Sequence, residues 1–173
     1  MSTNNQGKAY QSRAIRNNNP LNIVKGSRWK GLADDQTDSR FCKFVSRSYG
    51  WRAALILLRN YIQGRTSSKR KYDSISSIIS KWAPPSENAT QAYILNVSQA
   101  TGIHYLKRLV WTDRKEICSI CQAMAKVESG TLFDIDEIYA VYDLIKWFLI
   151  IRNLVLWKVL DLLSLLFCSQ WPR

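Results

Sequence analysis

The chain has 173 residues, with 25 Lys and Arg against 13 Asp and Glu, which gives a formal net charge of +12. Its hydrophobic content of 46%, including 12% aromatic residues, excludes a wholly disordered protein, and its length suits a single domain. Residues 1–131 carry 21 of the cations and 8 of the acids, whereas residues 132–173 carry 4 and 5. The basic excess indicates an anionic partner: nucleic acid, an anionic membrane surface or an acidic wall polymer.

The first 46 residues are predicted to be rich in loops. Residues 1–13 are mostly polar and predict a flexible arm. The stretch Arg16-Asn-Asn-Asn-Pro20 is a dense cluster of turn-forming residues, because Asn side chains bond their own backbone and Pro20 keeps its neighbour out of the helical region. Short strands are predicted around 23–24 and 41–45.

Five helices are predicted after Gly50, where apolar residues begin to recur with the helical period. The first presents one apolar face from Trp51 to Ile62 and ends at Gly64. The second begins at Ser74 and stops before Pro84, and the third begins near 86–89 and ends at Gly102. The fourth begins at Thr112 and ends at Gly130, and the fifth begins at a capping box of Asp134 and Glu137. The fold class is therefore predicted to be mainly α, and α+β at most.

The last predicted helix has no Gly or Pro before Pro172. Residues 145–167 are largely apolar but include Arg152, Lys158 and Asp161, each of which costs roughly 2.5–3.5 kcal/mol near the centre of a spanning helix. Three interpretations remain open for this segment: a membrane contact through 145–167, a helix packed on the domain or on a partner, and an aberrant tail from a shifted reading frame.

The composition also argues against metal and nucleotide chemistry. Cys118 and Cys121 have the CxxC spacing, but no second Cys or His pair follows, and both lie on the apolar face of a predicted helix. We interpret them as buried thiols, and His104 as a loop or surface residue. The chain has no GxxxxGK[ST] or GxGxxG motif, so we expect neither a nucleotide cofactor nor a metal.

Several motifs together resemble one bacteriophage and prophage family. Arg16-Asn-Asn-Asn-Pro-Leu-Asn-Ile23 is similar to the family's R-N-N-N-P-G-N-I opening. Trp82-Ala-Pro-Pro-Ser-Glu-Asn-Ala-Thr90, with Tyr93-Ile94 after it, matches its W-A-P-P-x-E-N-x-T-x-x-Y-I signature. The remaining matches follow in the family's order: Trp29-Lys-Gly-Leu32, Phe41-Cys-Lys-Phe44, Tyr49-Gly-Trp-Arg-Ala53, and Val127-Glu-Ser-Gly130, which resembles its E-N-G or E-S-G.

This resemblance covers about residues 14–143, and members of the family are labelled virion structural proteins, some of them lysozyme-like or lytic transglycosylase-like. It implies a small lysozyme-like helical domain over 14–143, between the polar arm of 1–13 and a hydrophobic helical tail of 144–173 that the family pattern does not explain. The chain departs from the family at Leu21, where the family has Gly. A backbone position that can require a positive φ therefore carries a branched side chain here.

Glycan cleavage of the kind implied by this resemblance needs a carboxylic acid to protonate the leaving oxygen, and a lytic transglycosylase can use one Glu as acid and then base. Glu87 is the first catalytic candidate, because it lies between a Pro-Pro break and a helix start, beside Trp82. Alternatively it is a first-turn acid that complements the helix dipole. Glu128 is the second candidate, since a carboxylate in the last turn of a helix is disfavoured by the dipole; alternatively it is a solvated surface residue.

Two sets of polar and aromatic residues are the candidates for substrate binding. One surrounds Glu87 and comprises Trp82, Asn88, Thr90 and Tyr93. The other is in the N-terminal turn and comprises Arg16, Asn18, Asn19 and Asn22. In the first set, the alternative is helix capping for Asn88 and Thr90 and a core position for Trp82. For the second set, it is a self-bonded turn that fixes the chain to the core.

The resemblance implies a phage or prophage virion-associated protein with a peptidoglycan-hydrolase-like domain that cleaves or binds cell-wall glycan. Its expected partners are peptidoglycan and other virion proteins, without sequence-specific nucleic acid. The alternative is a non-enzymatic virion structural or assembly protein, attached to a membrane through its C-terminal tail in one version. Residues 1–6 lack the apolar stretch of a signal peptide, so we expect the virion, or the bacterial cytoplasm when the protein is expressed from a prophage.

Overall fold

Six helices make up most of the chain that the structure describes. The computed structural model describes the backbone of residues 11–84 and 89–168, and the side chains of those residues up to Ile151. The helices are α1 (Arg13–Arg16), α2 (Arg47–Gln63), α3 (Ile75–Trp82), α4 (Thr90–Thr101), α5 (Arg114–Ser129) and α6 (Ile135–Cys168). The prediction of a mainly helical protein is confirmed. The short strands predicted near residues 23 and 41 are reduced to two isolated antiparallel bridges, Val24–Phe41 and Leu32–Phe44.

The predicted helix signals hold for α2 and α3, and one of them fails for α5. Gly64 ends α2 in the left-handed conformation, and the hydroxyl of Ser74 accepts from the Ser77 amide at the start of α3. The N-cap of α5 is Asp113, whose carboxylate accepts from the Glu116 amide at 3.0 Å, and the predicted cap, Thr112, lies one residue before it. A carboxylate is favoured over a hydroxyl there because it also complements the positive end of the helix.

The predicted capping box of α6 is only half correct. Asp134 accepts from the Asp136 amide at 3.0 Å, as a residue at a helix start would. The Glu137 carboxylate, however, faces α2, where it accepts from Arg47 Nε at 2.8 Å and from Trp51 Nε1 at 3.3 Å. A cation and an indole on a neighbouring helix therefore replace the local backbone partner that the sequence pattern predicts.

The hydrophobic core forms where α2, α5 and α6 pack together. Trp51 of α2 is buried and meets Phe133 edge-on, with ring centroids 5.2 Å apart. On α5 the buried face includes Cys118 and Cys121, which confirms that these thiols belong to the core. Burial raises the pKa of Cys118 to about 12 and that of Cys121 well above its ordinary range, so both remain uncharged thiols at neutral pH. His104 is exposed, as expected.

Helix α6 continues without interruption past the end of the predicted domain at residue 143. Its buried residues Ile138, Tyr142 and Ile145 pack into the core, and the Tyr142 hydroxyl donates to the Trp111 carbonyl at 2.5 Å. No helix within residues 11–84 and 89–168 has a stretch both long and apolar enough to cross a membrane. The division into arm, domain and tail remains a prediction, and residues 1–10 and 169–173 lie outside the described part of the chain.

The asparagine-rich turn tolerates the leucine that replaces the family's glycine. Leu21 is fully buried and is not among the described non-glycine residues with a positive φ. The left-handed positions fall instead on Asn18 and Asn22, with φ of 50° and 48°, and Asn adopts this conformation at low cost. The turn packs so closely on α2 that a Cβ at Gly50 would lie 2.1 Å from the Asn18 carbonyl oxygen.

Candidate functional site

A groove of about 940 Å³ opens between the N-terminal loop and helices α2 and α3. Its lining combines aromatic rings with positive charge, since Lys25, Arg40 and Lys81 also contribute to it. Glu128 is the one carboxylate among the described residues that line the groove. The aromatic residues of the lining are Trp29, Phe41, Tyr61 and Trp82. Rings that can stack on sugar faces, together with one carboxylate, are the elements that a glycan site requires.

Three donors from separate parts of the chain hold the Glu128 carboxylate. Trp82 Nε1 donates to Oε1 at 3.1 Å, and the Tyr93 hydroxyl reaches the same oxygen at 3.2 Å. Asn22 Nδ2 contacts Oε2 at 3.3 Å and also the Glu128 carbonyl oxygen at 3.3 Å. These contacts offset the unfavourable position of a carboxylate in the last turn of α5, and they fix its direction towards the groove.

The local sequence explains why these donors converge. Trp82 is the last residue of α3, and Tyr93 lies in the first turns of α4 and is buried among the apolar residues of the core. The left-handed backbone of Asn22 turns the N-terminal loop towards the end of α5. Gly130, with φ of 74°, ends α5 two residues after Glu128. Four elements distant in sequence therefore meet at one carboxylate.

The Tyr93 hydroxyl can form a hydrogen bond with Glu128 whether the Glu128 carboxyl group is ionised or protonated. It carries one proton but has two acceptors in reach: Glu128 Oε1 at 3.2 Å and the Met124 carbonyl oxygen at 3.3 Å. When Glu128 is ionised, Tyr93 can donate to it; when Glu128 carries a proton, Tyr93 can accept that proton's hydrogen bond and donate to Met124. Burial, with the nearby Glu128 charge second, raises the pKa of Tyr93 well above its ordinary range, so the phenol keeps its own proton.

No known family model matches the sequence. A relative does: protein P5 of Pseudoalteromonas phage PM2 is 36% identical in an alignment of 124 positions that covers 69% of this chain and 72% of the phage protein. The chain belongs to the family of this bacteriophage protein. This relative supports the resemblance of the sequence to a phage family. That the domain is lysozyme-like or transglycosylase-like remains a prediction.

Of the two catalytic candidates in this chain, the structure describes only Glu128. Glu87 and its neighbour Asn88 lie outside the residues that the structure describes. Glu128 lies in the groove, in contact with Trp82 and Tyr93, two of the residues that the sequence grouped around Glu87. Thr90 is buried, and its hydroxyl donates to the Ala83 carbonyl oxygen at 2.7 Å, a contact between α4 and the end of α3.

The predicted binding residues of the N-terminal turn serve different contacts. Asn19 is fully buried, and its amide bonds the backbone of Ile23 and Cys42 at 2.8–3.0 Å. Asn18 Nδ2 donates to the Phe44 carbonyl oxygen at 3.1 Å. Exposed Arg16 donates to the Gln11 carbonyl oxygen at 2.8 Å. These contacts favour the self-bonded turn for Asn18 and Asn19, whereas Asn22 is the residue of the turn that both lines the groove and contacts Glu128.

Sequence reasoning did not identify the cations of the groove. Lys25 and Arg40 come from two parts of the N-terminal loop and Lys81 from the end of α3, and the three share no motif or period. The one signal that pointed to them was the basic excess of residues 1–131, and a charge count does not show which of the cations lie close together in the fold. Together with Glu128, they give the groove three cations and one carboxylate among its described lining residues.

Proposed function

We propose that this is a phage virion-associated protein whose groove binds cell-wall glycan and cleaves it, with Glu128 as the general acid. The observation that carries the proposal is the position of Glu128, oriented by Trp82, Tyr93 and Asn22 in the wall of a groove lined by aromatic rings and cations. The glycan of peptidoglycan offers sugar faces for the rings. Its acidic substituents complement the cations.

The chemistry requires Glu128 to change its protonation state during the reaction. A protonated Glu128 donates to the glycosidic oxygen as the bond to the anomeric carbon breaks, and the resulting carboxylate can then remove a proton from the attacking hydroxyl. Tyr93, which can donate or accept at Oε1, supports both states without moving a helix. If the attacking hydroxyl belongs to the sugar itself, the product is an anhydro sugar; if it belongs to water, the product has a reducing end.

Digestion of purified peptidoglycan tests this proposal. We expect clearing by the full chain, a loss of at least about 100-fold in Glu128→Gln, and retained binding of that variant to insoluble peptidoglycan. Glu116→Gln, a change on the same helix but outside the groove lining, is the matched control and should stay active. Activity that survives Glu128→Gln and disappears in Glu87→Gln would move the catalytic role to Glu87.

The second candidate function is that of a non-enzymatic virion protein, and the contacts of the Glu128 carboxylate also support it. Glu128 accepts from α3, α4 and the N-terminal loop at once, so it joins elements in the way a structural residue does. In that case the wild-type chain clears no peptidoglycan, and Glu128→Gln lowers the melting temperature without any change in a catalytic rate. Mass spectrometry of the soluble fraction from the peptidoglycan digest separates the two candidates, because only a glycosidase releases glycan fragments.

A further inference from the structure

A second groove, of about 740 Å³, lies between α2 and α6 and is separate from the groove that Glu128 lines. Its lining is mainly apolar, with Ile56 from α2 and several residues of α6. Leu144 and Phe148 line it with 56% and 61% of their surface exposed. Next to them on α6, Trp147 and Ile150 are about half exposed. A contiguous exposed apolar surface of this kind marks an interaction site more often than an ordinary surface.

The charge around this groove has one sign. Lys30, Arg52 and Arg59 line it, and none of the described lining residues is acidic. Neither Lys30 nor Arg52 forms a salt bridge within the part of the chain that the structure describes. A purely apolar occupant would take water from these cations without replacing it, whereas acidic groups on the flanks of an occupant would complement them.

We propose that the α2–α6 groove is the docking site for an amphipathic helix of another protein, with apolar residues at i, i+3, i+4 and i+7 and acidic residues along its flanks. The groove runs between two helices, so a third helix can place its apolar ridge into it as helices do in protein interiors. Apolar anchors in the groove provide affinity, and the cations at its edge select a partner of negative charge.

Other occupants fit these observations less well. A second copy of the chain would bring the same three cations to the interface, and like charges repel. A flat membrane surface would touch the rim of a concave groove rather than fill it. Residues 1–10 of the chain itself are mostly polar and lack the apolar spacing of an amphipathic helix.

Synthetic helical peptides test the proposal with the full-length chain. Three peptides share one stripe of leucines and carry Glu, Gln or Lys on the flanks, and fluorescence anisotropy measures their binding. We expect the Glu peptide to bind most tightly and the Lys peptide at least about tenfold more weakly, with a difference that shrinks at high salt. Failure of the Glu peptide to bind, or equal binding of all three peptides, would overturn the proposal.

Matched variants locate the binding in this groove. Phe148→Ser should weaken binding of the Glu peptide about tenfold, whereas Leu132→Ser, an exposed apolar residue outside the groove, should not. Lys30→Glu should weaken it too, and Lys115→Glu, an exposed cation elsewhere, should not. Circular dichroism confirms that each variant is folded, which is expected because all four positions are exposed.

Two results would assign the groove to another occupant and overturn the proposal. One is a dimer in analytical ultracentrifugation that Phe148→Ser dissociates while the Glu peptide leaves it intact. The other is flotation of the chain with vesicles of phosphatidylglycerol and phosphatidylcholine that is lost in Phe148→Ser and unaffected by an excess of the Glu peptide.

Discussion

Two carboxylates stabilise the N-terminal loop, one from outside it and one from within it. Glu128 receives the side chain of Asn22 from this loop. Asp38, within the loop, accepts from the amides of Phe41 at 2.9 Å and Arg40 at 3.0 Å, and from Asn17 Nδ2 at 3.0 Å. These contacts, of which the backbone bond from Phe41 is the largest influence, lower the pKa of Asp38 to about 2. A loop without strands is therefore held by polar contacts, most of them partly buried.

The lowered pKa of Asp38 predicts a pH-dependent contribution to stability. The pKa of Asp in an unfolded chain is about 3.9, so the ionised carboxylate stabilises the fold above that pH. This contribution is lost as the pH falls through the folded-state pKa of about 2. Asp38→Asn removes the charge and should lower the free energy of unfolding at pH 7. We expect the difference from wild type, measured by urea unfolding, to be constant above about pH 5 and to shrink between about 4 and about 2. A difference of the same size at pH 2 and pH 7 would show that the charge of Asp38 does not stabilise this loop.

At the scale of elements, helix starts and ends set the geometry of the site. Gly130 ends α5 just after Glu128, and Trp82 is the last residue of α3. A change of one residue in the register of either helix would rotate its side chain by about 100° away from the contact between them. The packing that holds the register of α3 and α5 therefore also sets the geometry of this contact.

The start of α5 offers a test between two adjacent residues. Asp113 supplies the cap, whereas Thr112 is the cap that the sequence pattern predicts. Asp113→Ala should lower the free energy of unfolding by about 1 kcal/mol, because the Glu116 amide loses its acceptor. Thr112→Ala, at an exposed position, should change it by less than about 0.5 kcal/mol. Thermal unfolding of both variants measures this, and a larger loss in Thr112→Ala would contradict the observed cap.

At the scale of the whole molecule, α6 connects the core to the second groove. Ile145 is buried and Leu149 packs against the core, although both lie in the segment that the sequence assigned to a tail. Their neighbours Leu144 and Phe148 face outwards. One helix therefore contributes to the core along one face and presents the proposed docking surface along another.

Two truncations test where the folded unit ends. A chain ending at Asp143 loses Ile145 and Leu149, so its free energy of unfolding should fall by about 2–4 kcal/mol. A chain ending at Ile151 keeps every residue of the described core and should remain within about 1 kcal/mol of the full chain. Urea unfolding of the three chains decides this. Equal stability of the two truncated chains would mean that α6 beyond Asp143 does not support the core.

Much of the fold could be predicted because helix periodicity and capping are local properties. The apolar face of α2, the Ser74 cap and the three terminal glycines 64, 102 and 130 are visible in the sequence, and all of them lie where predicted. One error, at the start of α5, was a choice between two adjacent residues. Another arose where a contact between distant residues replaced a local one. Glu137 left its predicted capping box for Arg47, which is 90 residues away in the sequence.

The sequence by itself determined a mainly helical basic protein, the positions of its main helices, and a short set of acids and asparagines as site candidates. Only the tertiary structure decided which candidate residues meet, because Asn22, Trp82 and Tyr93 all contact Glu128 but are separated from it or from one another by up to 106 residues. No local period relates them. Their meeting depends on how four elements pack, and packing is a property of the whole chain rather than of any segment.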